Sequence, residues 1–261
     1  MIKIFRLFRQ RLLSENKFSK YLLYALGEIF LVVIGILIAL QINTWNDTRK
    51  EKKLENEYYC RLLEDTKLDK EQISNLLELA ENRLKASNAS VRLLLKDIVN
   101  KKEVATQISL ATKAIYSDFE PNNSAYEDLK SGANLNIIQD KSIIKALNRY
   151  FNKVEELKSI IMINGKHAVD VSFSHIDNFD NGSVLASIET GNFKTGLDKD
   201  LKDKILAVPQ LPLSEEMKSR LLNESLVNVS SNTRQIELYT LMLNEIEMLE
   251  QLLQTKCIEQ N

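Results

Sequence analysis

The chain has 261 residues, 44% of them hydrophobic and 27% charged, with a formal net charge of -1. That is apolar material for one sizeable core or two small ones, and a near-neutral balance that asks for no nucleic acid as partner. Gly occurs 7 times and Pro 3 times, so long uninterrupted helices are expected, because these residues are the usual breakers.

Residues Met1 to Leu13 read MIKIFRLFRQRLL. On a helical wheel Ile4, Phe5, Phe8 and Leu12 share one side, with Lys3 and Arg6 opposite. That is a basic amphipathic segment suited to the headgroup layer. From Tyr21 to Ile42 the chain reads YLLYALGEIFLVVIGILIALQI, with Glu28 as its only full charge. At helical rise this stretch covers roughly the 30 Å thickness of a bilayer core. Tyr21, Tyr24 and Trp45 flank it as an aromatic belt would. It is longer than a signal-peptide core and carries no small-residue cleavage pattern at Ile38-Ala39-Leu40-Gln41. The expected organisation is a cytoplasmic basic segment over 1–20, a transmembrane helix over 21–43 and an extracytoplasmic domain over 44–261.

Lys3, Arg6, Arg9, Arg11, Lys17 and Lys20 precede the span, and Arg49, Lys50, Lys52 and Lys53 follow it. The bias places the N-terminus inside and the following domain in the periplasm of a Gram-negative inner membrane. Glu28 needs an explanation, because a carboxylate within a span is costly and functional by default. It either pairs at the edge of a helix dimer or reaches headgroups and water, and the sequence leaves both open. Gly35 and Ala39 form a small-xxx-small step along the face of Val32 and Ile42, a helix-packing seam where two backbones can approach.

The stretch from Leu12 to Glu55 resembles the opening of a bacterial family of unknown function. The matching residues are Gly27-Glu28-Ile29, Val32 to Asn43, and Trp45-Asn46. A weaker likeness runs from Ser124 to Gly132 (SAYEDLKSG) and over Leu135 to Ile138. The resemblance implies one anchor followed by a helical domain, and it implies no activity, cofactor or catalytic residue.

Beyond the anchor a long helix is expected from Trp45 through Asn100. Its stripe is Leu54, Tyr58 and Leu62, then Ile73, Leu76, Leu77, Ala80, Leu84, Ser87, Val91, Leu94 and Ile98. Val104 to Ser117 reads as a second helix, broken by Asp118 to Asn123. Ser124 then caps a short helix that ends at Gly132 in a left-handed position. Asn134 to Gln139 is a connector with extended character. Asp140 caps a helix from Lys141 to Asn164, which Gly165 ends or kinks, and a further helix reaches about Ile176. Asp177 to Ser183 is a loop, and 183–212 has no firm reading. Ser214 starts a last helix reaching Lys256, with Ile236, Tyr239, Leu243, Ile246, Leu249 and Leu253 on one face. The sum is an all-α fold, a bundle closed by antiparallel long helices.

An antiparallel return of the last helix brings Cys257 toward Cys60, which would pair in an oxidising compartment. Spacing alone is uninformative, and two unpaired thiols are the expectation. They form no CxxC and are too few for a thiolate zinc site. His167 and His175, near Asp170, Asp177 and Asp180, are read as solvated rather than metal-binding. Asp177 to Ser183 fails as a calcium loop, because Phe179 and Ile188 fall where oxygen ligands belong. The chain has no Gly-rich phosphate loop and no GxSxG or SxxK context. The carboxylates read as solvated helix faces. No cofactor is expected, and a non-enzymatic role is favoured.

Three functions follow. The first is an interaction or scaffolding module whose partners are the bilayer and a second copy or another envelope protein. The second is proton or energy coupling through Glu28. The third is a ligand or catalytic site around Asn123, Tyr126, Asn134 and Asn136, polar groups on a connector between helices.

Overall fold

A computed structural model describes residues 18–115, 119–132, 134–174, 196, 198–209 and 212–257. Among these there is no strand. Six α-helices follow one another: α1 (Phe18–Leu94), α2 (Lys101–Thr112), α3 (Ser124–Ser131), α4 (Lys141–Ser174), α5 (Lys199–Leu206) and α6 (Glu215–Gln254). A single 3-10 turn, Asn134–Ile137, lies between α3 and α4. The chain divides into two compact units, Met1–Asn56 and Glu57–Asn261.

In the first unit, α1 is exposed along its apolar length. Leu31 is 68% and Ile36 is 55% exposed. This is the one helix among the described residues long and apolar enough to cross a membrane. No proline interrupts α1, and its only glycines are Gly27 and Gly35. A Cβ at either glycine would meet nothing within 4 Å. The basic segment over residues 1–17 lies outside the described residues.

In the second unit, α6 runs antiparallel to both α1 and α4. Lys70 of α1 meets Glu250 of α6 at 2.9 Å, while Arg83, further along α1, meets Asn232 at 3.0 Å. Asp140, at the start of α4, pairs with Lys256, while Arg149 pairs with Glu245. The main core gathers Leu62, Ile73 and Ala80 from α1, Leu147 and Leu157 from α4, and Met242, Ile246 and Leu253 from α6. A smaller cluster of Leu94, Val104, Ala105, Ile108 and Leu221 joins α1, α2 and α6. Most of the expected stripes are the buried ones. Leu54 and Ile98 are not; Ile98 is 89% exposed.

Several expected boundaries are corrected. α1 stops at Leu94 rather than Asn100, because Asn100 caps α2 instead. Its Oδ1 accepts from the Lys102 and Glu103 backbone N–H groups, and its Nδ2 donates to Glu103 Oε1. α2 therefore begins before Val104 and ends at Thr112, where Ala114 turns the chain with φ 52°. Ser124 is the first residue of α3 and not its cap; Asn123 holds that place without a side-chain cap bond. Gly132 has φ −77°, so it is not left-handed. The connector is a 3-10 turn and not an extended piece. Gly165 neither ends α4 nor divides it, and α4 runs on to Ser174. The readings of Asp140 and Ser214 as caps hold. Asp140 accepts from the Ser142 N–H at 2.9 Å, and Ser214 Oγ accepts from the Met217 N–H at 3.2 Å.

Cys60 and Cys257, 197 positions apart in sequence, form a disulfide with Cα atoms 4.8 Å apart. The expectation of unpaired thiols is corrected: antiparallel packing of α6 on α1 brings the two backbones within bridging range.

Candidate functional site

The resemblance motif SAYEDLKSG forms α3, and one face of α1 holds it. Asp65 and Asp69 lie one helical turn apart on α1. Asp65 accepts from the Ala125 N–H at 3.0 Å and lies 3.4 Å from Ser124 Oγ. An acid from a neighbouring helix thus satisfies donors at the start of α3 and complements its dipole. Asp69 accepts from the Asn122 backbone N–H at 2.7 Å, from Asn122 Nδ2 at 2.9 Å, and from the Tyr150 hydroxyl. At the far end of α3, Asp128 takes Arg61 at 2.8 Å and the Tyr58 hydroxyl at 3.3 Å.

Asp69 is 1% exposed. The expectation that every carboxylate lies on a solvated face is corrected here, because a buried acid is tolerated when donors saturate it. Burial pushes its carboxyl above the usual range, against the pull of Asn122 and Tyr150. Burial and the adjacent Asp69 carboxylate push the Tyr150 phenol far up, so it stays a donor. The exposed Asp128 moves the other way, held below the usual range by Arg61.

The predicted ligand region is part of this clamp. Tyr126 is buried, stacks on Phe151 with centroids 4.3 Å apart, and donates to Asn148 Oδ1 at 2.7 Å. Asn123 and Asn136 are exposed, and Asn134 starts the 3-10 turn. A concavity of about 330 Å³ lies elsewhere, along α1, lined by Glu81, Leu84, Lys85, Asn88 and Arg92. Glu28 is half-buried within the exposed apolar stretch, and Gly35 and Ala39 are exposed on it.

A second polar constellation was missed in the sequence reading of the helices. Arg83 is 4% exposed. Its Nε donates to Asn232 Oδ1 at 3.0 Å, its Nη2 to Gln235 Oε1 at 2.6 Å, and its Nη1 to the Ala114 carbonyl at 3.5 Å. Gln235 Nε2 donates to the Ile115 carbonyl at 2.5 Å, and Asn232 Nδ2 to the Ala111 carbonyl at 3.1 Å. These three carbonyls lie at and just beyond the C-terminus of α2, the negative end of its dipole. That is how the cation is accommodated with no carboxylate in ion-pair range among the described residues. Burial still draws its pKa down. The missed signal was the spacing of Asn228, Asn232 and Gln235, which continues the apolar face of α6 at three- and four-residue steps.

His167 is exposed, while His175 and the Asp177 to Ser183 run lie outside the described residues. Among the described residues no group of three or more His, Cys, Asp or Glu is placed to hold a metal. Chemically, both constellations use their hydrogen-bonding capacity to join helices. No curated protein and no solved structure matches the chain. The pattern that defines a family of unknown function, DUF6090, matches residues 28–179, more than half of the chain, and the chain belongs to that family.

Proposed function

We propose that this protein is an envelope-anchored helical module that recognises other proteins outside the cytoplasm. Residues 21–43 cross the inner membrane of a Gram-negative bacterium with the N-terminus inside. The bundle stands in the periplasm. The observation that carries this reading is the Cys60–Cys257 disulfide, since such bonds persist in oxidising compartments and are rare in the cytosol. The basic residues before the span agree with it.

The polar groups around α3 are engaged in joining helices, which supports surface recognition over chemistry at that place. The first partner is the bilayer. The second is another copy of the chain, meeting it along Gly35 and Ala39, or a different envelope protein. Amine crosslinking in intact cells is the test. A captured dimer or neighbour supports the reading, and a strict monomer with no captured neighbour sinks it. Thiol alkylation before and after reduction tests the compartment separately: Cys60 and Cys257 label only after reduction if the bundle is periplasmic.

A further inference from the structure

The contact between α1 and α6 changes character along its length. Toward the disulfide, Leu62, Ile73 and Ala80 of α1 and Met242, Ile246 and Leu253 of α6 belong to one apolar cluster. From Arg83 onward the buried faces turn polar: Arg83, Ser87 and Ser90 on α1, and Gln235, Asn232, Asn228 and Ser225 on α6. Beyond that polar layer, among the described residues, a smaller cluster of Leu94, Val104, Ala105, Ile108 and Leu221 closes the end, with half-buried Leu93, Val99, Leu213, Met217 and Leu222 against it.

The layer is incompletely satisfied. Asn228 is 0% exposed, yet neither atom of its side-chain amide has a hydrogen-bond partner among the described residues, and the same is true of Ser225 Oγ. Buried polar atoms without partners oppose the closed state, because opening returns them to water. Asn232 and Arg83 act the other way, tying α6 to α1 and to the end of α2.

We infer that the α1–α6 pair is a hinged clamp. Its base is held by the apolar core and the disulfide, and its tip, α2 with residues 221–235 of α6, unfolds and re-forms locally as one unit, with α2 leaving both α4 and α6. Opening hydrates Asn228 and Ser225 and exposes the inner face of α2, while the base stays shut. The device is a property of the chain alone and does not rest on the partner reading above.

Deuterium exchange on the full-length chain in detergent micelles tests it. Peptides from 101–115 and 221–235 exchange together, at least about tenfold faster than peptides from 238–253. Equal protection in both halves, or faster exchange in the base, overturns the clamp. Asn228→Leu and Ser225→Ala each remove unpartnered polar atoms and slow exchange at the tip by several-fold with the base unchanged. Should Asn228→Leu fail to fold, Ser225→Ala removes a single oxygen and carries the test. A tip rate in Ser225→Ala equal to or above that of the parent overturns the assigned cause.

Discussion

Arg83 is held by two side-chain amides and a backbone carbonyl at the end of α2, so its removal is felt in two ways. Arg83→Ala leaves those acceptors buried without a donor and opens a cavity, a loss of about 2–4 kcal/mol in unfolding free energy. Arg83→Met keeps the volume and removes the charge that burial disfavours, and costs less than Arg83→Ala. Denaturant titration of both variants checks the order, and a Met variant as unstable as the Ala variant contradicts it. Acid sensitivity is also decided at single residues. Asp128 and Asp140 are held below the usual carboxylate value of 3.8, by Arg61 in one case and by Ser142 and Lys256 in the other. A depressed folded pKa means stability that is present above the unfolded value and is lost as the pH falls through the folded one. Asp69, raised by burial, has the opposite sign: its contribution is full below the unfolded value and fades as the pH rises through the raised one. Asp140→Asn therefore flattens the acid limb of a melting-temperature profile below about pH 4. An unchanged limb argues against the Asp140 pairing.

Among the elements, α3 is too short to be stable alone, and its position depends on the acids of α1. Asp69→Ala leaves the Asn122 donors and the Tyr150 hydroxyl without their acceptor, with a loss of about 2–3 kcal/mol. The tyrosine environment near Phe151 then changes in near-ultraviolet circular dichroism, and a spectrum identical to the parent's counts against the clamp. The disulfide acts on a longer loop. It joins positions 197 apart, and cross-links of long loops are worth about 2–5 kcal/mol in the chain-entropy account. Cys257→Ser lowers Tm by roughly 5–15 °C at the scaling expected for a bundle of this size. An equal Tm with and without reductant would mean that the apolar core alone closes the base. Helix periodicity made the main elements legible: α4 and α6 start where Asp140 and Ser214 said they would, because caps are local. The ends of α1 and α2 were not, since Asn100 is a better cap than a helix interior residue and nothing in the stripe registers that competition.

For the molecule as a whole, the exposed stretch around Leu31 and Ile36 is the feature that places it at a bilayer under the proposed function. The full-length chain stays with membranes through a carbonate wash. Ile36→Arg weakens insertion by about 3 kcal/mol on the helix-centre scale, read as a larger soluble or misinserted fraction in a membrane-integration assay. Unaltered integration would remove the bilayer from the account of this segment. The family match takes in Glu28, Gly35, Ala39 and the α3 clamp and ends at residue 179, before α6, the helix that closes this core.

By itself the sequence determined the apolar stretch, the all-α class and the order of the long helices, because hydropathy, helical period and capping act within a few residues of one another. Only the tertiary structure decided that Cys60 meets Cys257, that Asp69 is buried and saturated, and that Arg83 rests against the end of α2. Each of those depends on which polar residue faces which across helices far apart in the chain. A polar side chain on a helix looks the same in sequence whether it faces water or a partner that supplies its hydrogen bonds.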